Sequence, residues 1–554
     1  MANLFDHVRL LHEQELYHDL KTMCSMVLSL SEQNADVFSM TQKYQMMVFY
    51  GDSLYQTEEF KKAEDIYRKA LSLKKAINKT KGKSSHLDLV SDVDVKYKIH
   101  QCHYSLGQLQ EALNVLESVT TKQRSAKINM SLARLYHRTG MDRSAITCYK
   151  EVLRECPLAL EAITGLICLG VKGPEVVALV MPGIGHGVQT EWLSLWIKGH
   201  SFLAAQDFPL AITSFKSLDA KPYMKDNVNL LCSLGEAHFK QGDYPNALLV
   251  FQRAHTLDPY NLRNMDIYAY MLAREKRVKE LESLSNKMMS VTELAPEPWI
   301  VVGYFCMVTK KATRAVYFAQ RAYAKDSRNI EALLLKGSAL VELKKIPEAL
   351  LHFREALRLA PHRYEAHAGL IDCYTSSRRT LKEAITVASK AIRTLARSAR
   401  SLTLYASVLA RVPTMEARAK PYLEKAMKLD ANYLEPVYIM AEILGKEHNF
   451  WEGINLLRGK LYHHSTCRLH QMLGDFLTWT NEHQEALDHY SIALGIDPTN
   501  TQAREGMERV EKQSESGPEP GIDMELVDGS ENEAEPDFEE SDVDSSALSE
   551  TDFM

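Results

Sequence analysis

Apolar residues recur every three to four positions along most of the chain, in blocks separated by short polar turns. That period is the helical one, so the pattern predicts amphipathic helices in series. Residues 329 to 361, NIEALLLKGSALVELKKIPEALLHFREALRLAP, show the unit most clearly. Leu333, Gly337 and Leu340 share one face of a first helix. Ala349, Phe353 and Ala356 share one face of a second, and Pro361 closes the unit. Small side chains at Gly337 and Ala349 let the two helices approach, and Phe353 fills the space beside them.

The unit returns in phase. Pro157, Pro259 and Pro361 follow one another at intervals of 102 residues, and Pro498 comes 137 later. Those distances are three and four times a period of about 34 residues. Matching residues precede each proline. Before Pro157 stand Leu132, Ala133, Tyr136, Ala145 and Tyr149; before Pro259, Leu234, Gly235, Ala247, Phe251 and Ala254. Before Pro498 stand Leu473, Gly474, Leu477, Ala486, Tyr490 and Ala493. This is the tetratricopeptide pattern of helix pairs. It predicts an all-α, right-handed superhelical solenoid, in which each unit needs only its neighbours to bury its apolar face.

Along the chain, residues 1 to 38 read as an N-terminal helical pair, with Phe5, Val8 and Leu11 on one stripe and Met23, Val27 and Leu30 on another. A first clear repeat spans 39 to 77 and carries Gly51, Ala63 and Tyr67. A basic and polar loop is expected at 78 to 95, because the repeat alanine jumps there from Ala63 to Ala112. The array then runs through 96 to 260, with a degenerate unit at 158 to 190, and on through 261 to 510. Twelve or thirteen units are expected. From 511 to 554 periodicity stops. The segment is acidic and poor in large apolar residues, so disorder is expected.

Charge sharpens this division. The chain of 554 residues has a net charge of −6. Residues 513 to 554 hold 15 Asp and Glu and no Lys or Arg, which leaves the rest at +9. Nine scattered cysteines with no C-x-x-C suit a reducing compartment. No run approaches 18 apolar residues and the N-terminus lacks a basic start before an apolar core, so neither a membrane span nor a signal peptide is expected.

Candidate chemistry is thin. Gly165 to Lys172 resembles a phosphate loop, but Val171 stands where lysine is required and no Ser or Thr follows Lys172. Gly183, Gly185 and Gly187 resemble a dinucleotide turn without its βαβ setting. His463, His464 and Cys467 lack the second cluster that a structural zinc site needs. The lysines 74, 75, 79, 81 and 83 lack interleaved aromatics and sit beside Asp88, Asp92 and Asp94, which argues for a solvated loop and against nucleic acid. A non-enzymatic protein with no cofactor and no metal follows. In the tail, Ser530, Ser541 and Ser549 each precede an acid by three residues, as acid-directed kinases require.

A stack of such pairs offers a concave face lined by first helices, suited to an extended peptide or a partner's helix. A carboxylate clamp needs Lys at the fifth place of a repeat and Asn at the ninth. Here those places hold Met130, Cys232, Leu334 and Gln471, then Arg134, Glu236, Ser338 and Asp475. Apolar inner positions such as Ile300 with Tyr304 and Leu334 with Val341 suit either a folded partner or packing against the next repeat.

Several segments go beyond a generic repeat: QKYQMMVFYGDSL, SAKINMSLARLY, TCYKEVLRECPLALEAITGL, EWLSLWIKGH, LLLKGSAL with ALLHFREALRLAP, and LGDFLTWTNEHQEALDHYSIALGIDP. From about residue 3 to 510 the chain resembles the subunit-seven family of the anaphase-promoting complex, or cyclosome. The resemblance implies a non-catalytic scaffold of a cell-cycle ubiquitin ligase that controls mitotic progression and G1. It also implies a homodimer through the N-terminal repeats, other subunits of the complex as partners, paralogous repeat subunits above all, and residence in nucleus and cytoplasm, with spindle association. The alternative for the same fold is a free-standing peptide-binding adaptor of the chaperone or transport type.

Overall fold

Helix follows helix in the computed structural model, which describes residues 4–33, 38–80, 89–184, 191–376, 378–395 and 398–515. Among the described residues there is no strand, and no helix is long and apolar enough to cross a membrane. Among the described residues, 29 α-helices run as fourteen successive pairs, from Leu4–Glu13 with Tyr17–Gln33 to Cys467–Trp479 with His483–Ile496, followed by the single helix Thr501–Glu515. The chain divides between Tyr433 and Leu434 into two compact units.

Local chemistry sets each boundary. Asn329 caps the helix Ile330–Glu342: its side chain accepts a hydrogen bond from the Ala332 N–H at 2.9 Å. Within most pairs the turn needs one residue in the left-handed region. Glycine supplies it at Gly140 (φ +79°) and Gly242 (φ +98°), whereas Lys310, Lys344 and Asn481 adopt it at φ near +60°. Four second helices stop at a proline. Cys156, Asp258, Ala360 and Asp497 each end a helix in extended backbone, as a residue before proline must, and Pro157, Pro259, Pro361 and Pro498 follow.

The repeat alanines sit where helices touch. Ala63, Ala145, Ala247, Ala349, Ala486 and the later Ala254, Ala356 and Ala493 have no exposed surface. Tyr67, Tyr149, Phe251, Phe353 and Tyr490 are buried beside them, as are Ala133 and Tyr136. The rings of Tyr67, Phe251, Phe353 and Tyr490 lie against the glycine sixteen positions earlier, and that of Tyr149 lies against Gly165, sixteen positions later. A Cβ added at Gly337 would stand 2.7 Å from Phe353 Cζ, and one at Gly474 would stand 2.8 Å from Tyr490 Cε1. Gly51 and Gly235 are buried in the equivalent places.

Three boundaries differ from those read in the sequence. The helix Phe60–Thr80 continues past residue 77, because Ile77 extends the buried stripe of Ala63, Tyr67 and Ala70 while Lys61, Lys62, Lys69 and Lys75 are exposed. The next helix starts at Asp92, where Ser91 Oγ accepts from the Asp94 N–H at 3.0 Å. Within the expected 78–95 loop, residues 78–80 and 92–95 are therefore helical, and 81–88 lie outside the described residues. At the other end, Thr501–Glu515 runs past residue 510, since Ala503 and Val510 are fully buried. The expected acidic tail lies outside the described residues from 516 on. In the N-terminal pair Val8 and Val27 are buried as expected, but Leu30 is exposed.

Candidate functional site

First helices supply the inner positions, and in the larger unit many of these are occupied by the protein itself. Ile300 and Leu334 are buried, and Tyr304 packs edge-on against Tyr270 with centroids 5.7 Å apart. Cys232 is fully buried, with Asn261 Nδ2 3.3 Å from its sulfur. Glu236 receives Lys240 Nζ at 2.7 Å and Asn264 Nδ2 at 3.3 Å. Burial opposes its charge, but Lys240, Arg263 and Asn264 hold its carboxyl down at about 2. Arg134 is spent on Glu161 at 2.6 Å, while Ser338 is exposed.

A buried polar network runs across several repeats of that unit. Arg363 pairs with Glu331 and sets its Nε 3.0 Å from Glu365. Its guanidinium also lies 4.7 Å from the centre of the Phe239 ring. Arg400 lies 3.3 Å from Glu365, 3.8 Å from the Tyr364 ring centre and 4.7 Å from that of Tyr244, to whose hydroxyl it donates. Arg274 adds a second cation 4.1 Å from the Tyr244 ring centre. The cations stay charged because burial is opposed by Glu331 and Glu365 around Arg363, and by Tyr244 and Glu365 around Arg400. Glu365 is likewise held below its ordinary range by Arg363 and Arg400, against its burial. Around Asp266 the balance reverses: burial, then Glu331, pushes its carboxyl up to about 8, although the Ile267 N–H and Arg363 oppose the shift. Gly242 completes the fit, since a Cβ there would meet Arg400 Cδ at 2.3 Å.

The smaller unit has an open groove of about 580 Å³ lined by Glu442, Cys467, Arg468, Gln471, Asp475 and Asn500, among others. Its polar groups partner one another. Arg468 donates to Glu442 at 2.9 Å, Asn500 donates to Gln471 at 3.0 Å, and Asp475 accepts from the Tyr490 hydroxyl at 2.6 Å.

Of the residues that resemble phosphate, dinucleotide or metal motifs, Cys467 alone is among the groove residues named above. Lys172 caps the helix Gly173–Val180 after a turn at Gly170, so Gly165 and Gly170 belong to a helix pair. Gly183 lies in a short 3₁₀ turn, with Gly185 and Gly187 outside the described residues. Cys467 accepts from Asn500 Nδ2 at 3.1 Å, and among the described residues no three His, Cys, Asp or Glu side chains converge as metal ligands. Lys74 is engaged by Asp92 at 3.0 Å. Ser530, Ser541 and Ser549 lie outside the described residues.

The sequence held one signal for the inner network. Glu297, Glu331, Glu365 and Arg400 occupy the second place of successive repeats, an inward-pointing place where charge is costly unless paired.

Comparison with known proteins bears on both fold and role. Tetratricopeptide repeat models match residues 44–77, 228–261 and 334–401. The chain is 41% identical over 543 residues to anaphase-promoting complex subunit 7 of Homo sapiens, covering 96% of each. It is 28% identical to the protein of the same name in Arabidopsis thaliana, covering 94% of this chain and 96% of that one. Anaphase-promoting complex subunit 3 of Schizosaccharomyces pombe is 23% identical over 55% of this chain and 46% of its own length. A crystal structure of the APC/C hetero-tetramer Cut9-Hcn1 matches the fold with a TM-score of 0.57 at 15% identity, over 91% of this chain and 96% of that one.

Proposed function

The chain belongs to the anaphase-promoting complex subunit 7 family, and from that premise we propose that it acts as a non-catalytic scaffold subunit of the complex, a cell-cycle ubiquitin ligase. The observation that carries this reading is continuous identity of 41% across 96% of both chains. A local repeat match would support only the fold. The inner side chains agree with a structural role: charged groups that might have met a substrate are paired with one another across repeats.

Its partners are other subunits of that complex, and similarity to subunit 3 favours a paralogous repeat subunit among them. The chain also pairs with a second copy through its N-terminal helices. Leu10, Leu16, Met26, Leu30 and Met40, in or between the first three helices, are each about half exposed or more, which supports that pairing. Nucleus and cytoplasm are its compartments. Purification of the tagged chain from mitotic extract tests the assignment. Cullin-like, RING and other repeat subunits should co-elute in constant ratio, and recovery of the chain without them would refute it.

A further inference from the structure

Two rungs join distant repeats inside the larger unit. One is the buried network, in which Phe239 and Tyr244 meet Arg363 and Arg400. The other lies at the surface. Arg328 stands in the link between the helices Ala312–Lys325 and Ile330–Glu342. Its Nη1 donates to the carbonyls of His137 at 2.9 Å and Arg138 at 3.0 Å, 191 and 190 residues earlier.

Both carbonyls belong to the last turn of the helix Ala126–Thr139, which ends at the left-handed Gly140. The last four carbonyls of a helix have no partner within it and form its negative end. A guanidinium from a much later repeat therefore completes this helix. A second contact runs the other way: Arg138 Nη2 lies 3.9 Å from Asp326, and its Nη1 donates to the Tyr104 hydroxyl at 2.8 Å. Asp326 also accepts from the Arg328 N–H at 3.1 Å, which shapes the link around the arginine.

Exposure separates the two rungs. The side chains of Glu331, Arg363, Glu365 and Arg400 are at most 12% exposed. Those of Arg138 and Asp326 are 37% and 38% exposed, and Arg328 is exposed too. Salt screens exposed charges far more than buried pairs.

We propose that Arg328 is a latch between successive turns of the superhelix and that the buried rung is its hinge. When the latch releases, the pair Ala126–Thr139 with Asp142–Glu155 parts from the link 326–329, while residues 239 to 400 stay together. Closed, the latch joins Tyr104, Arg138, Asp326 and Arg328 into one surface, although they are far apart in sequence.

Hydrogen exchange of the intact chain in 0.05 and 0.5 M NaCl tests this. Amides of residues 136 to 141 report the latch, because they lie at the helix end that Arg328 caps. In the native chain their exchange should rise about threefold or more in 0.5 M NaCl, where the screening length is only a few ångströms. In R328A they should be fast at both salt concentrations. Met265–Arg274 and Ala399–Leu409 should exchange at unchanged rates throughout. Equal rates at 136 to 141 in the native chain and R328A, or acceleration confined to residues 326 to 332, would overturn the latch. Parallel acceleration of Met265–Arg274 and Ala399–Leu409 would overturn the hinge. The salt series needs no variant, so native rates indifferent to salt would refute the proposal even if R328A failed to fold.

Discussion

The guanidinium of Arg400 lies 4.7 Å from the centre of the Tyr244 ring, although 156 residues separate the two. Stacked repeats ordinarily depend on nearest neighbours. Here a contact crosses several pairs inside one unit, so residues 239 to 400 should open together. R400A should destabilise this region by about 3–5 kcal/mol, the cost of breaking a buried, paired charge. R400K should recover only part, because an ammonium lacks the planar stacking surface. Hydrogen exchange is the readout: amides of Met265–Arg274 and Ala399–Leu409 should speed up in parallel. Acceleration confined to Ala399–Leu409 would contradict the coupling.

Asp266 gives the fold a pH dependence. Its carboxyl is near 4 in an unfolded chain and is pushed up to about 8 by burial and Glu331. The folded state therefore holds the proton more tightly, and this group's contribution to stability falls as pH rises from about 4 towards 8. D266N should leave stability unchanged near pH 4 and raise it by roughly 1–3 kcal/mol at pH 8. Thermal melts of both proteins across that range check the sign.

Gly337 and Phe353 test the packing rule of the repeat. The 2.7 Å approach leaves no room for a methyl group. G337A should cost about 1–3 kcal/mol through overpacking, and F353L should relieve much of it in the double variant. Denaturant midpoints of the two single variants and the pair decide the matter.

Lys344 holds φ at +59° in a turn where other pairs use glycine. K344G should therefore stabilise by about 0.5–1 kcal/mol, by removing left-handed strain. An unchanged or lower melting temperature would show that the lysine side chain earns its place there.

The alanine and proline rhythm made the helix pairs legible, because both act within one repeat. Ala349 needs only the neighbouring helix to be buried, and Pro361 needs only the residue before it to end a helix. The network of Arg363, Arg400, Glu331 and Asp266 was not legible in that way. Its charges recur at the second place of successive repeats, but that period does not say which of them meet: Arg400 donates to Tyr244, 156 residues earlier. The extent of Phe60–Thr80 was missed for a different reason: a lysine-rich outer face masked the apolar stripe that ends in Ile77.

The N-terminal pair bears on assembly. M26E with L30E should convert light-scattering mass from twice the chain's 62.9 kDa to that value, while leaving the helical content unchanged.

The scaffold role itself is tested most directly by stoichiometry. In complex purified through its cullin-like subunit, quantitative mass spectrometry should find about two copies of this chain per cullin-like subunit, a fixed ratio that a dimeric structural component requires. Absence of the chain from that material, or a ratio that drifts well below one between preparations, would contradict the account.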